Sequence, residues 1–293
     1  MHILENEALK ISVADAGAEL CSVVDKADGC ERLWTADPAI WNRHAPILFP
    51  FVGKLAGGEY RIGGRAYAMK TQHGFARDMV CDCVETADSS VTHRLLPTDA
   101  TRAIYPYEFS LLIRHSLDTV DPRLLRIEWT VENHGTDTMY FSIGGHPGFL
   151  MPPGAEKEDC FVQFPGLDTL RYFSVNTQGY ALPDRLKTLR LENGFAPYQT
   201  DIPDTWIFPD GQVQSAAIAG PDHRPYVTLN CEGFPLLAVW ANPKGPFICL
   251  EPWFGRTDDE GFSGTLEDKA GMEKLAPGER RHIAYSIRFH AAE

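Results

Sequence analysis

Apolar and polar residues alternate with a period of two in segment after segment of this chain. That repeat restricts it to strands with one buried and one wetted face. Leu125, Ile127, Trp129 and Val131 alternate with Arg126, Glu128 and Thr130, and Ile283, Tyr285, Ile287 and Phe289 alternate with Ala284, Ser286 and Arg288. Phe109, Leu111, Ile113 and Leu117, with His115 in the same register, give a third instance, and Leu9, Ile11 and Val13 a short fourth. Gly63-Gly64 separates Tyr60-Arg61-Ile62 from Ala66-Tyr67-Ala68-Met69 and predicts a hairpin, because such a turn needs positive φ. Long amphipathic helical runs are hard to find; residues 37–42 suit a single turn. The 25 glycines and 21 prolines punctuate the whole length as turns do. No composition shift, linker or repeat divides the chain. The expected fold is all-β, a large antiparallel β-sandwich formed as one domain over residues 1–293.

Composition narrows the partners. The 40 acidic residues outnumber 27 basic ones, and no run of Lys or Arg accumulates, so nucleic acid is not an expected partner. No segment approaches the roughly 20 apolar residues of a membrane helix, and Glu5 and Glu7 interrupt the N-terminal stretch where a secretory signal would lie. The seven cysteines are an odd number without CxxC spacing. They read as mostly buried thiols in a reducing, cytoplasmic setting.

Four places combine an ionisable side chain with an unusual local sequence. In Gln72-His73-Gly74-Phe75-Ala76-Arg77-Asp78, glycine leaves space beside the imidazole and Arg77 offers a planar fork of donors, either to a ligand or to Asp78. In Ser142-Ile143-Gly144-Gly145-His146-Pro147-Gly148-Phe149, a tight, open backbone surrounds His146, as a site or as a satisfied turn residue. In Leu250-Glu251-Pro252-Trp253-Phe254, an apolar strand delivers a carboxylate beside two aromatics. Desolvation there raises its pKa, unless the side chain ends in solvent. In Pro203-Asp204-Thr205-Trp206, Asp204 either accepts hydrogen bonds from a ligand or caps a turn. Two His and a carboxylate can also hold iron or zinc, but 73 positions separate His73 from His146, and no metal is expected. A nucleophile elbow and a phosphate-cradling Gly-Lys-Ser/Thr loop are both missing.

His73-Gly74-Phe75-Ala76-Arg77, Gly145-His146-Pro147-Gly148-Phe149 and Leu250-Glu251-Pro252-Trp253-Phe254-Gly255, in that order and preceded by Pro46-Ile47-Leu48-Phe49-Pro50-Phe51-Val52-Gly53-Lys54, resemble the aldose 1-epimerase (galactose mutarotase) family, in its LacX-like branch. The resemblance runs over nearly the whole chain. It implies a galactose mutarotase-like sandwich that binds a sugar in an open cleft without a cofactor. It also implies Glu251 as general base, His146 as general acid, His73 near the ring oxygen and Asp204 on hydroxyls. Two departures stand out. The family's His-Xaa-Tyr-Phe is His146-Pro147-Gly148-Phe149 here, and its Gly-Arg segment is Gly53-Lys54, so the family's substrate-binding arginine is either lost or replaced by Lys54 or Arg77. Phe149, Trp253 and Trp240 are the aromatics expected against a sugar ring. Besides a mutarotase for a free aldose, two readings stay open. One is a hexose 6-phosphate mutarotase using Lys54, Arg77 or Arg256, and the other a sugar-binding or regulatory protein with little turnover.

Overall fold

The computed structural model describes residues 1–197 and 205–291. The alternating segments form strands, and the ladders between strands are antiparallel. A nine-stranded sheet runs in the order Phe195–Pro197, Phe161–Gln163, Ser215–Ala219, Pro225–Asn230, Arg280–Phe289, Leu124–Asn133, Phe109–Leu117, Ser90–Leu95, Asp82–Ala87. A six-stranded sheet sets Phe247–Phe254 between Leu236–Trp240 and Ile143–Gly145, with Trp206–Phe208 and Ile47–Leu48 outside them and Gly148–Leu150 also paired to Phe247–Phe254. A smaller sheet joins His2–Glu5, Leu9–Val13 and Leu20–Asp25.

Alternation decides what the two large sheets share. Trp129 stands between Ile113 and Ile283, and Ile127 between His115 and Tyr285, so each row crosses three strands on one buried face. Ile248, Leu250, Leu237 and Val239 of the other sheet belong to the same core. Each such side chain contributes about 1.5–3 kcal/mol on full burial. The expected hairpin forms between Glu59–Ile62 and Arg65–Ala68, with Gly63 at φ 55° and Gly64 at φ 76°. The turn after Asp37 also forms, its carbonyl accepting the amides of Ile40 and Trp41. The short α-helix Asp99–Ile104 went unread because six residues carry no visible periodicity; Thr98 starts it by accepting the Thr101 amide. Among the described residues, no helix is long and apolar enough to cross a membrane.

One buried ion network ties the small sheet to the large one. Asp25 and Arg32 have no exposed side-chain surface and meet at 2.8 Å, and Arg123 Nη2 donates to Asp25 Oδ1 at 3.1 Å. Burial raises the Asp25 pKa, but Arg123, the Ala27 amide and Arg32 together outweigh it and bring the group to about 2. The unfolded value is near 3.9. The folded pKa is therefore depressed, and the stability it confers is present above pH 4 and lost as pH falls through 2. Urea denaturation between pH 5 and pH 2 should show the wild type losing about 2 kcal/mol more than Asp25→Asn over that window. Equal losses would place the acid lability elsewhere.

Candidate active site

Every residue of Phe247–Phe254 is buried, though the strand carries a carboxylate. Ile248, Leu250 and Phe254 turn into the shared core, while Phe247, Cys249 and Trp253 belong to separate clusters. Period two places Glu251 with the second set. Its neighbours on that face are small: Ala238 lies across from Glu251 and Gly144 across from Trp253. A Cβ on Gly144 would stand 2.5 Å from Trp253 Cδ1, so the indole seats only over glycine. A cleft of about 330 Å³ opens above Glu251, within the range of small-molecule sites.

Register explains how His146 reaches it. Gly144 pairs with Trp253 and Gly148 with Cys249, and the register common to both sets His146 opposite Glu251 in the gap between them. Pro147 and Pro252 border that gap. Neither can donate a ladder hydrogen bond, so pairing breaks where the two side chains meet. His146 Nε2 comes to 3.2 Å from Glu251 Oε2. The approach is close but not aligned, and Glu251 Oε2 and Trp253 Nε1 both remain without a hydrogen-bond partner inside the cleft. The Trp41 ring lies 4.9 Å from the imidazole and the Trp240 ring 5.5 Å from it.

Burial governs the protonation of this pair. Desolvation pushes Glu251 well above the usual carboxylate range and brings His146 down to about 3. Burial disfavours charge on either group, and so favours the proton on the carboxyl beside a neutral imidazole.

His73 stands 5.6 Å from His146, ring to ring, and is clamped twice to Gly53. Its amide donates to the Gly53 carbonyl at 2.8 Å, and its Nδ1 accepts the Gly53 amide at 3.0 Å. A neutral imidazole has one proton, so that proton is on Nε2 and donates. The Gln72 amide, 2.8 Å from Nε2, must then present its oxygen. Burial, followed by the nearby His146, Arg77 and Lys54, keeps the His73 pKa well below normal. Gly74, at φ +69° with a virtual Cβ only 2.3 Å from the Phe49 carbonyl oxygen, allows the segment to pass this close.

Lys54, Arg77 and Trp253 also line the cleft. Lys54 Nζ donates to the Gln178 carbonyl at 3.0 Å, and Arg77 Nη2 to the Gln72 carbonyl at 2.7 Å. Asp78 pairs with Arg43 and also stands 3.9 Å from Arg77 Nε. Phe149 requires correction: it pairs with Ile248, whose side chain faces the core, and is fully buried there near Phe289. It does not face the cleft. Arg256 pairs with Asp259 and is not part of the lining. Asp204 lies outside the described residues; Thr205, next to it, lines the cleft. Trp41, Gln72, Asn242 and Thr257 were missed as lining residues. Only Trp41 left a trace, as a large aromatic in the turn begun by Asp37.

Residues 1–193 match the aldose 1-epimerase family, "Aldose 1-epimerase". The chain belongs to the aldose 1-epimerase family. Within it, the protein LacX (chromosomal) of Lactococcus lactis subsp. lactis is 30% identical, the match covering 97% of each chain. A galactose mutarotase related enzyme from Lactobacillus acidophilus has a TM-score of 0.92 at 30% identity, covering 99% of this chain and 97% of its own. A galactose mutarotase-like protein from Lactobacillus casei ATCC 334 has a TM-score of 0.89 at 32% identity, covering 99% and 100%. Aldose 1-epimerase family membership makes carbohydrate chemistry the frame for the cleft.

Proposed function

We propose that this chain interconverts the α and β anomers of a free aldose, with Glu251 and His146 moving the protons. The observation that carries this reading is a buried carboxylate and imidazole set 3.2 Å apart by strand register, with unsatisfied polar atoms at the base of an aromatic-walled cleft. Opening a hemiacetal ring removes a proton from the anomeric hydroxyl and adds one to the ring oxygen. Both oxygens are bonded to one carbon, so a base and an acid side by side suit them. Glu251 as carboxylate takes the first proton while His146 as imidazolium gives the second. The open-chain sugar then faces protonated Glu251 and neutral His146, which is the uncharged pair favoured by burial. Rotation about C1–C2 and reversal of both transfers give the other anomer. Atoms balance without a cofactor, and each transfer is worth about 10²–10⁴-fold. On binding, the His73 Nε2–H exchanges its Gln72 partner for a sugar oxygen, and Trp41, Trp240 and Trp253 offer rings to the sugar's apolar face.

Because the pair works with one shared proton, kcat/KM should follow a bell-shaped pH curve. The acid limb marks addition of a second proton at His146, and the alkaline limb loss of the last from Glu251, whose pKa is raised. His146→Asn should flatten the acid limb and Glu251→Gln the alkaline one, measured by polarimetry on freshly dissolved anomers. A flat wild-type profile from acid to alkaline pH would contradict the shared-proton scheme.

Lys54 and Arg77 on the cleft support a second reading, a sugar carrying a 6-phosphate. A substrate panel with and without the phosphate separates the two. A core running from Leu4 to Phe289 supports reading the chain as one domain. Its free thiols suit a cytoplasmic setting.

A further inference from the structure

At the far edge of the nine-stranded sheet a second group of chemically capable side chains converges. Cys83, in Asp82–Ala87, lies directly across from His93, in Ser90–Leu95. Antiparallel pairing holds two such residues about 4.5–5.5 Å apart at Cβ on one face. The strand His2–Glu5 packs against Ser90–Leu95 and brings the His2 ring to 5.1 Å from that of His93. Asp15 Oδ1 accepts from His2 Nε2 at 2.7 Å and from His93 Nε2 at 3.1 Å, while the Met1 amine stands 3.2 Å from Oδ2. Cys83 Sγ is 4.0 Å from His2 Nδ1. One ligand atom from each of His2, Cys83 and His93 lies within 4.8 Å of the others.

Two imidazoles and a thiol form a donor set suited to a borderline divalent ion of the zinc type, and Asp15 orients both rings. Zinc bonds of about 2.0–2.3 Å place tetrahedral ligands roughly 3.3–3.8 Å apart, so closing His2, Cys83 and His93 on an ion needs shifts of about 1 Å. His93 is fully buried and fixed by its ladder, whereas Cys83 is exposed and Asp15 partly so, which gives an ion a route in. The strand Asp82–Ala87 is exposed along its length and ends the sheet. Such an edge gains most from being tied down.

We propose that His2, Cys83 and His93, with Asp15 orienting the two imidazoles, bind a zinc-class divalent ion that staples the N-terminal strand to the open edge of the large sheet. The site is on a different sheet from the Glu251 cleft and takes no part in the proton transfers. It differs from two other groups that could hold a metal, Glu19-Cys21-His44 and His146-Cys249-Glu251. Cobalt titration of the chelator-stripped full chain tests it. The wild type should show visible tetrahedral Co²⁺ bands and a near-ultraviolet thiolate charge-transfer band. Cys83→Ser should lose the charge-transfer band and bind about tenfold or more weakly, and His2→Gln should also weaken binding, while Cys21→Ser keeps both signals. Zinc should raise the Tm of the wild type by more than that of Cys83→Ser. Cys83 is exposed, so its substitution leaves the core intact and circular dichroism checks the fold. A thiolate charge-transfer band that survives in Cys83→Ser, or no saturable binding of Co²⁺ to the wild type at millimolar concentration, would overturn the proposal.

Discussion

Glu251→Gln is expected to lower anomerisation by about 10²-fold or more while changing sugar affinity little, because glutamine keeps the shape but cannot accept the proton. The same substitution should leave the fold as stable or more so. Glu251 is 1% exposed and its folded pKa is raised, so above the unfolded value near 4.3 the fold loses stability as pH climbs toward the folded pKa. Glutamine removes that penalty. Loss of turnover with stability retained separates a chemical defect from unfolding. His146→Asn should behave alike in turnover. The double variant should be far less than additively worse if both groups serve linked transfers. Near-normal rates in both single variants would remove these residues from the mechanism.

Asp258→Asn should destabilise the fold by about 3–5 kcal/mol, the usual effect of leaving one charge of a buried pair alone. Asp258 and Lys269 are each 3% exposed by side chain and meet at 2.6 Å. Burial presses the Lys269 ammonium toward its neutral form, and Asp258 opposes it. The pair also secures one wall of the cleft. Asp258 Oδ2 accepts the Ala56 amide at 2.7 Å, its own amide donates to the Lys54 carbonyl at 2.9 Å, and Thr257 Oγ1 accepts the Lys54 amide at 3.0 Å. KM should therefore rise more than kcat falls. Chemical denaturation at neutral pH reads the first effect and polarimetry the second. Adding Lys269→Met should restore much of the stability, since the stranded charge is then gone. Failure to recover would assign the loss to the Ala56 hydrogen bond instead.

Sequence disclosed the strands where one face meets the core and the other water, as in Leu124–Asn133 and Arg280–Phe289. Strands buried on both faces do not alternate, and Phe247–Phe254 showed itself mainly through a carboxylate out of place among aromatics. His73, His146 and Glu251 were legible as local oddities beside glycine or proline. That His146 stands across from Glu251 was not, because it depends on a register shared by two short strands. Phe149 was misplaced for the same reason: which face it takes follows from Ile248, its partner on another strand. Thr257, Asn242 and Trp41 reach the cleft through loops, and side chains of those types occur on any loop.

Anomerisation through a single proton shared between Glu251 and His146 is open to direct observation. Saturation-transfer NMR measures it directly, by irradiating the anomeric proton of one form of an equilibrated aldose and following the other. Transfer between α and β signals should run well above the buffer rate for at least one aldose in the panel and be abolished in Glu251→Gln. Sugar binding without any enhanced exchange across the panel, phosphorylated sugars included, would contradict it and leave a carbohydrate-binding protein in its place.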